Sequence, residues 1–293
     1  MGHTRRIART LACALAVASL AAAQDSTARK GHLLIIGGGE RPPEIMARVA
    51  ALAGGAEGRV AVIPNASSVP DEVGPEQAAE LKAAGAGEAF PLQATSQTAH
   101  EAATVAALEG ATGIFFSGGD QRRLTAALLG SPLLEALHAV YQRGGVIAGT
   151  SAGAAVMGPL MITGDEKKPP PEDEESFTTI LADNVITTPG LRFLEGVVVD
   201  QHFVARKRLN RLIAVVLDNP ERLGVGIDES TAILVGPDRT FEVLGESQVV
   251  VIDARQARHV STGPGGQLAG HGVALHVLRP GQRFDLEARR PLD

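Results

Sequence analysis

Short apolar runs that stop abruptly at glycine or small polar residues set the tightest limit on how this chain can fold. His32 to Ile36 stops at Gly37-Gly38-Gly39, Gly113 to Phe116 at Ser117-Gly118-Gly119-Asp120, and Gly145 to Ala148 at Gly149-Thr150-Ser151. Arg59 to Ile63 is a further run of this kind. Runs that are apolar at successive rather than alternate positions suit strands covered on both faces. Between them lie longer amphipathic stretches, from about Pro42 to Ala53, Glu76 to Ala84, Gln121 to Leu129 and Pro132 to Arg143. Their spacing predicts helices. The expected fold is α/β, a three-layer sandwich built on a mostly parallel sheet.

The later part of the chain differs. Ala232 to Val235, Thr240 to Val243, Gln248 to Ile252 and Val273 to Leu278 are strand-like, with short turns and no long helix between them. They predict antiparallel C-terminal strands that extend the sheet within one domain. Between Gly164 and Pro189 the Lys-Lys-Pro-Pro-Pro-Glu-Asp-Glu-Glu run (Lys167 to Glu175) predicts a surface loop. No internal repeat is present.

The N-terminus has the form of an export leader. Arg5, Arg6 and Arg9 precede the apolar run Leu11 to Leu20, and Ala21 and Ala23 supply an A-x-A site, so cleavage before Gln24 is expected. The apolar run is too short to favour a retained membrane anchor. The expected organisation is a signal peptide at 1–23 and a single domain at 24–293, secreted or periplasmic. Losing the three leader arginines takes the net charge from −6 to −9, which argues against nucleic acid as a partner. The only cysteine, Cys13, leaves with the leader, so no disulfide supports the mature fold. Core burial must do so, and with one Tyr and no Trp that core is aliphatic.

Gly149-Thr150-Ser151-Ala152-Gly153-Ala154 follows a buried strand directly and fits G-x-S-x-G. A strand-to-helix turn there points the serine hydroxyl out of the sheet and aims the Ala152 N–H at the same point, as in a nucleophile elbow with half an oxyanion hole. A tight turn whose serine caps a helix is the other reading. Gly119 could supply the second oxyanion donor and Gln121 could hold substrate, because ligands of open α/β sheets bind beyond the carboxyl ends of the strands. A simple turn with Asp120 as helix cap fits the same residues. His202, in Asp200-Gln201-His202-Phe203 after the apolar run Gly196 to Val199, stands at a strand end where a general base could reach Ser151. Arg206, Lys207, Arg208 and Arg211 follow within about two helical turns. They form either a solvated helix face or a cluster for substrate carboxylates. No H-E-x-x-H, paired cysteines, P-loop or dinucleotide fingerprint is present, so neither metal nor cofactor is expected.

Together these motifs resemble the cyanophycinases and their relatives the α-aspartyl dipeptidases. The closer likeness, to the cyanophycinases, rests on Phe116 to Gln121, Gly149 to Met157, Asp200 to Phe203 with Arg206, Arg208 and Arg211, Gly224 to Glu229, and Arg283 to Leu286. The resemblance implies a class I glutamine-amidotransferase-like fold and a serine exopeptidase cleaving cyanophycin, a poly-aspartate bearing arginine on its β-carboxyls, to β-Asp-Arg. It implies Ser151 as nucleophile, His202 as base, and Gly119 and Ala152 as oxyanion donors. Gln121, Asp200, Gln201, Arg206, Arg208 and Arg211 would line the substrate pocket. For the triad acid, Glu166 has the spacing from Ser151 seen in the dipeptidases, with Asp165 and Glu175 as alternatives. Relatives also suggest a homodimer. An exported dipeptidase for other isoaspartyl peptides and a non-catalytic binding homologue are the competing functions.

Overall fold

The computed structural model describes residues 31–171 and 175–292; the leader expected at 1–23 lies outside them. The chain begins with β1 (His32–Ile36), α1 (Pro43–Leu52), β2 (Arg59–Ile63), α2 (Pro70–Ala83), β3 (Glu88–Pro91), α3 (Ala102–Ala106), β4 (Gly113–Phe116), α4 (Gln121–Leu128), α5 (Pro132–Gln142) and β5 (Val146–Thr150). The five strands run parallel in the spatial order β3-β2-β4-β5-β1. Their continuous apolar pattern has the expected cause. Leu34, Ile36, Val60, Val62 and Phe115 pack on α1 and α2, while Leu33, Ile35, Ile63, Ile114 and Phe116 face α4 and α5. Each fully buried side chain of this size contributes about 1.5–3 kcal/mol.

After β5 come α6 (Ala152–Ala155), β6 (Leu160–Glu166), β7 (Val185–Pro189), β8 (Val197–Gln201), α7 (Leu209–Asp218), β9 (Leu223–Ile227), β10 (Thr231–Val235), β11 (Thr240–Gly245) and β12 (Val249–Asp253). The chain closes with β13 (Arg258–Thr262), β14 (Leu268–His271), β15 (Ala274–Leu278), β16 (Arg283–Asp285) and β17 (Arg290–Leu292). Antiparallel pairing of β10 on β1, then β11, β16 and β17, brings the main sheet to nine strands. The fold is thus mixed α/β, with a large sheet, a parallel half and antiparallel C-terminal strands.

Two features depart from expectation. The strands β12 and β15 do not extend the main sheet; they join β9 and β8 in a separate four-stranded sheet ordered β15-β12-β9-β8. One face of it, through Val199, Val225 and Val251, enters the same core as Leu33 and Phe116. The other face, through Val198, Val250 and Ile252, is covered by Leu212, Val215 and Val216 of α7. The second departure is the apolar run after Ser151, which forms only one helical turn before leading into the β6–β7 hairpin. The expected loop is accordingly shorter and is anchored on two paired strands.

Candidate active site

Ser151 follows β5 directly and has φ 53° and ψ −109°. Such a backbone costs a non-glycine residue about 1–3 kcal/mol, and it persists only where the surroundings dictate it. Here the Ser151 N–H donates to the Ile36 carbonyl at 3.0 Å, and the Ser151 carbonyl accepts the Ala154 and Ala155 N–H groups. The side chain caps nothing. Instead its Oγ lies 2.9 Å from Nε2 of His202. The cap reading therefore fails for Ser151. It holds for Asp120, whose carboxylate accepts the Arg122 N–H at the start of α4.

His202 follows β8 as Ser151 follows β5. Its φ is 50°, and its N–H donates to the Gly37 carbonyl at 2.7 Å. Gly38, at φ 108°, explains the triple glycine: a Cβ there would stand 2.4 Å from the imidazole ring. Nδ1 of His202 meets Oε1 of Glu229 at 2.5 Å. Glu229 comes two residues after β9, and β8 and β9 are parallel neighbours with Gln201 opposite Ile227. Residues just past their ends must therefore lie side by side.

The expectation of Glu166 as the acid is corrected by this geometry. Glu166 ends β6, where its Oε2 accepts the Phe177 N–H at 3.1 Å and its Oε1 accepts from Asn184 Nδ2 at 2.8 Å. Asp165 pairs with Arg122 at 2.8 Å, and Glu175 lines a neighbouring cleft. None of the three reaches His202.

Burial is the main influence on the His202 imidazole and lowers its pKa; the Glu229 hydrogen bond opposes this, and the Arg206 charge adds to it. The net direction is below the ordinary 6.5. A base must be neutral, so kcat/KM should rise with pH and level off through an apparent value below 6.5. Arg206→Ala should move that bend to higher pH, since removing the positive charge eases protonation of the ring. A pH profile of both enzymes checks this, and a wild-type bend above 6.5 contradicts it.

The loop after β4 packs against the serine. A Cβ on Gly118 would lie 3.4 Å from Ser151 Cβ and 4.0 Å from its Oγ. Gly119 has φ 136°, and a Cβ there would fall 2.0 Å from the Ala66 carbonyl oxygen, so only glycine fits. Among the described residues no protein acceptor takes the N–H of Gly119 or of Ala152. Gln201 is also close, its Oε1 3.5 Å from Ser151 Oγ.

The remaining residues expected to bind substrate divide into two groups. Gln121 is buried, and its Nε2 donates to the Ile162 and Thr163 carbonyls at 2.7 and 2.8 Å, tying α4 to β6. Asp200, 1 % exposed, accepts from Nε of Arg211 at 2.7 Å and from its Nη2 in a shorter contact. These three side chains are engaged with one another or with main chain, and Arg211 also reaches the cleft wall described next. Arg206 and Arg208 form the second group. They line a cleft of about 680 Å³ with Lys207 and Arg211 on one wall and Glu175 to Thr178 on the other. Arg208 donates to the Gln201 carbonyl at 2.6 Å, and its pKa is lowered to about 10, chiefly by burial and then by Arg211. A cavity of about 710 Å³ lies near Thr112 and Gly145, at the opposite ends of β4 and β5. Ligands of α/β sheets bind at the carboxyl ends, away from this cavity.

A hydroxyl in contact with an imidazole, itself oriented by a carboxylate, beside two undirected N–H groups, is the arrangement used for acyl transfer. The family model of peptidase family S51 matches residues 33–243. The chain belongs to that family. It is therefore a serine peptidase, a hydrolase. Among S51 relatives, the cyanophycinase of Trichormus variabilis is 35 % identical over 273 residues, covering 90 % of this chain and 89 % of that protein. The cyanophycinase of Geminocystis herdmanii is 34 % identical over 271 residues, covering 90 % and 96 %. A peptidase from an acI-B1 Actinobacterium has a similar fold, with TM-score 0.63 and 23 % identity over 87 % of this chain and 96 % of its own.

Proposed function

We propose that this S51 peptidase hydrolyses cyanophycin, with Ser151, His202 and Glu229 as its catalytic groups. The observation that carries this reading is the unbroken contact series from Ser151 Oγ through the His202 ring to Glu229. The arginine-lined cleft whose basic wall begins at Ala205, three residues after His202, adds to it, and the names of the two S51 relatives supply the substrate.

In this reading Ser151 Oγ attacks a main-chain carbonyl of the poly-aspartate as His202 Nε2 takes its proton. The oxyanion is met by the Gly119 and Ala152 N–H groups. His202 then returns the proton to the leaving amine, and water, deprotonated by the same imidazole, releases the acyl group. Glu229 holds the Nδ1–H tautomer and balances the imidazolium. Arg206 and Arg208 take the carboxylates of a zwitterionic substrate, for which planar guanidinium forks are suited. The product is β-Asp-Arg, and the leader-like N-terminus supports a reaction on the secreted or periplasmic side. A polymer too large to import fits an exported degrader.

The test is incubation of residues 24–293 with insoluble cyanophycin beside unsubstituted poly-aspartate, following soluble products by mass spectrometry. Release of β-Asp-Arg from cyanophycin is expected, and cleavage of unsubstituted poly-aspartate at an equal rate would mean that the arginine branches are not recognised. Preference for short acidic peptides would favour the dipeptidase reading. A folded protein that cleaves neither would favour a binding homologue.

A further inference from the structure

Asp228 lies between β9 and Glu229 and is 6 % exposed. Its Oδ1 accepts the Val204 N–H at 3.0 Å and the Ala205 N–H at 2.9 Å, while its Oδ2 accepts the Ser247 hydroxyl at 2.7 Å. Its own N–H donates to the Gln248 carbonyl at 3.2 Å. Val204 and Ala205 open the tight turn that follows His202. In that turn the Arg206 N–H donates to the His202 carbonyl at 3.0 Å and the Arg208 N–H to the Phe203 carbonyl at 2.9 Å. The first N–H groups of such a turn have no carbonyl behind them. Asp228 supplies the missing acceptor from just beyond the end of β9. Burial works against its charge, but the hydrogen bonds from Ala205, Ser247, Glu229 and Val204 outweigh this and hold its pKa below the ordinary carboxylate value.

The position of His202 depends on this grip. With φ at 50° its backbone is strained, so it needs support on both sides. The Gly37 carbonyl holds the His202 N–H on one side, and Asp228 holds the turn on the other. We propose that Asp228 is a positioning residue of the hydrolytic site: by holding the Val204 and Ala205 amides it fixes His202 against Ser151 and sets the wall that carries Arg206 and Arg208. It acts through His202 and rests on the reading of Ser151 and His202 as nucleophile and base.

A small phosphonofluoridate separates this role from substrate binding, because it modifies a histidine-activated serine without needing the basic wall. Wild-type protein should be inactivated at Ser151. Asp228→Ala, folded by circular dichroism, should be inactivated about a hundredfold more slowly and lose about as much kcat/KM, the cost of an approximately 1 Å misplacement. Asp228→Asn should stay within about fivefold of wild type, since its amide oxygen still accepts both N–H groups and its NH2 can donate to Ser247. Wild-type inactivation rates in Asp228→Ala would overturn the proposal, as would an Asp228→Asn enzyme no better than Asp228→Ala. If Asp228→Ala does not fold, Asp228→Glu keeps the charge but displaces the turn. It should slow inactivation at least about tenfold, and an unchanged rate would overturn the proposal. A wild-type protein that resists the reagent would remove the nucleophile reading itself, and this inference with it.

Discussion

Ser151→Ala is expected to lower kcat by about a millionfold, and adding His202→Ala to it should cost almost nothing more. The reason is that the two side chains act as one unit. Without Oγ the imidazole has no proton to take, and without the imidazole the hydroxyl is a poor nucleophile. Some acceleration over water, about 10³–10⁴, should survive from substrate binding and the Gly119 and Ala152 N–H groups. Single-turnover kinetics of the two single variants and the double variant check this. Additive losses would mean that Ser151 and His202 do not share one step, whatever their 2.9 Å contact suggests.

Glu229→Gln should cost about 10⁴ in kcat, roughly 5 kcal/mol of transition-state stabilisation, with little change in KM. Glutamine removes the charge opposite the imidazolium and lets the ring settle in either tautomer. The matching change at Glu166 gives the contrast. Glu166→Gln weakens hydrogen bonds to Phe177, in the cleft wall, and to the buried Asn184. It should act on KM and thermal stability and leave kcat within about threefold, since hydrogen bonds to a charged group are worth about 1.5–3 kcal/mol and none of these touches His202. Equal kcat losses in the two variants would overturn the assignment of Glu229.

The difference between these two glutamates shows what the sequence can carry. Ser151 and His202 are legible because each ends a continuous apolar strand, and such ends converge in a parallel sheet. Glu229 also follows an apolar strand, Leu223–Ile227, and the run Gly224 to Glu229 is visible in the sequence. What is missing is that β8 and β9 are neighbours, which depends on a second sheet. Spacing from Ser151 pointed to Glu166, whereas adjacency to the strand of His202 decides the matter. The triple glycine held an overlooked signal: Gly38 leaves no space for a side chain because the imidazole occupies it. Asp200 and Arg211 show another limit. Both are polar residues near the site, but the sequence does not say that they pair with each other in the interior, as the Arg211 Nε to Asp200 contact shows.

Ser151 extends from the nine-stranded sheet, whereas His202 and Glu229 extend from the four-stranded one. They meet at Gly37 and Gly38, whose carbonyls accept the His202 and Ser230 N–H groups. On the proposed roles, hydrolytic power belongs to the joint between two layers, and neither layer holds it alone. If those roles hold, a chain still being synthesised has its nucleophile long before its acid, and gains activity only when the second layer closes on the first.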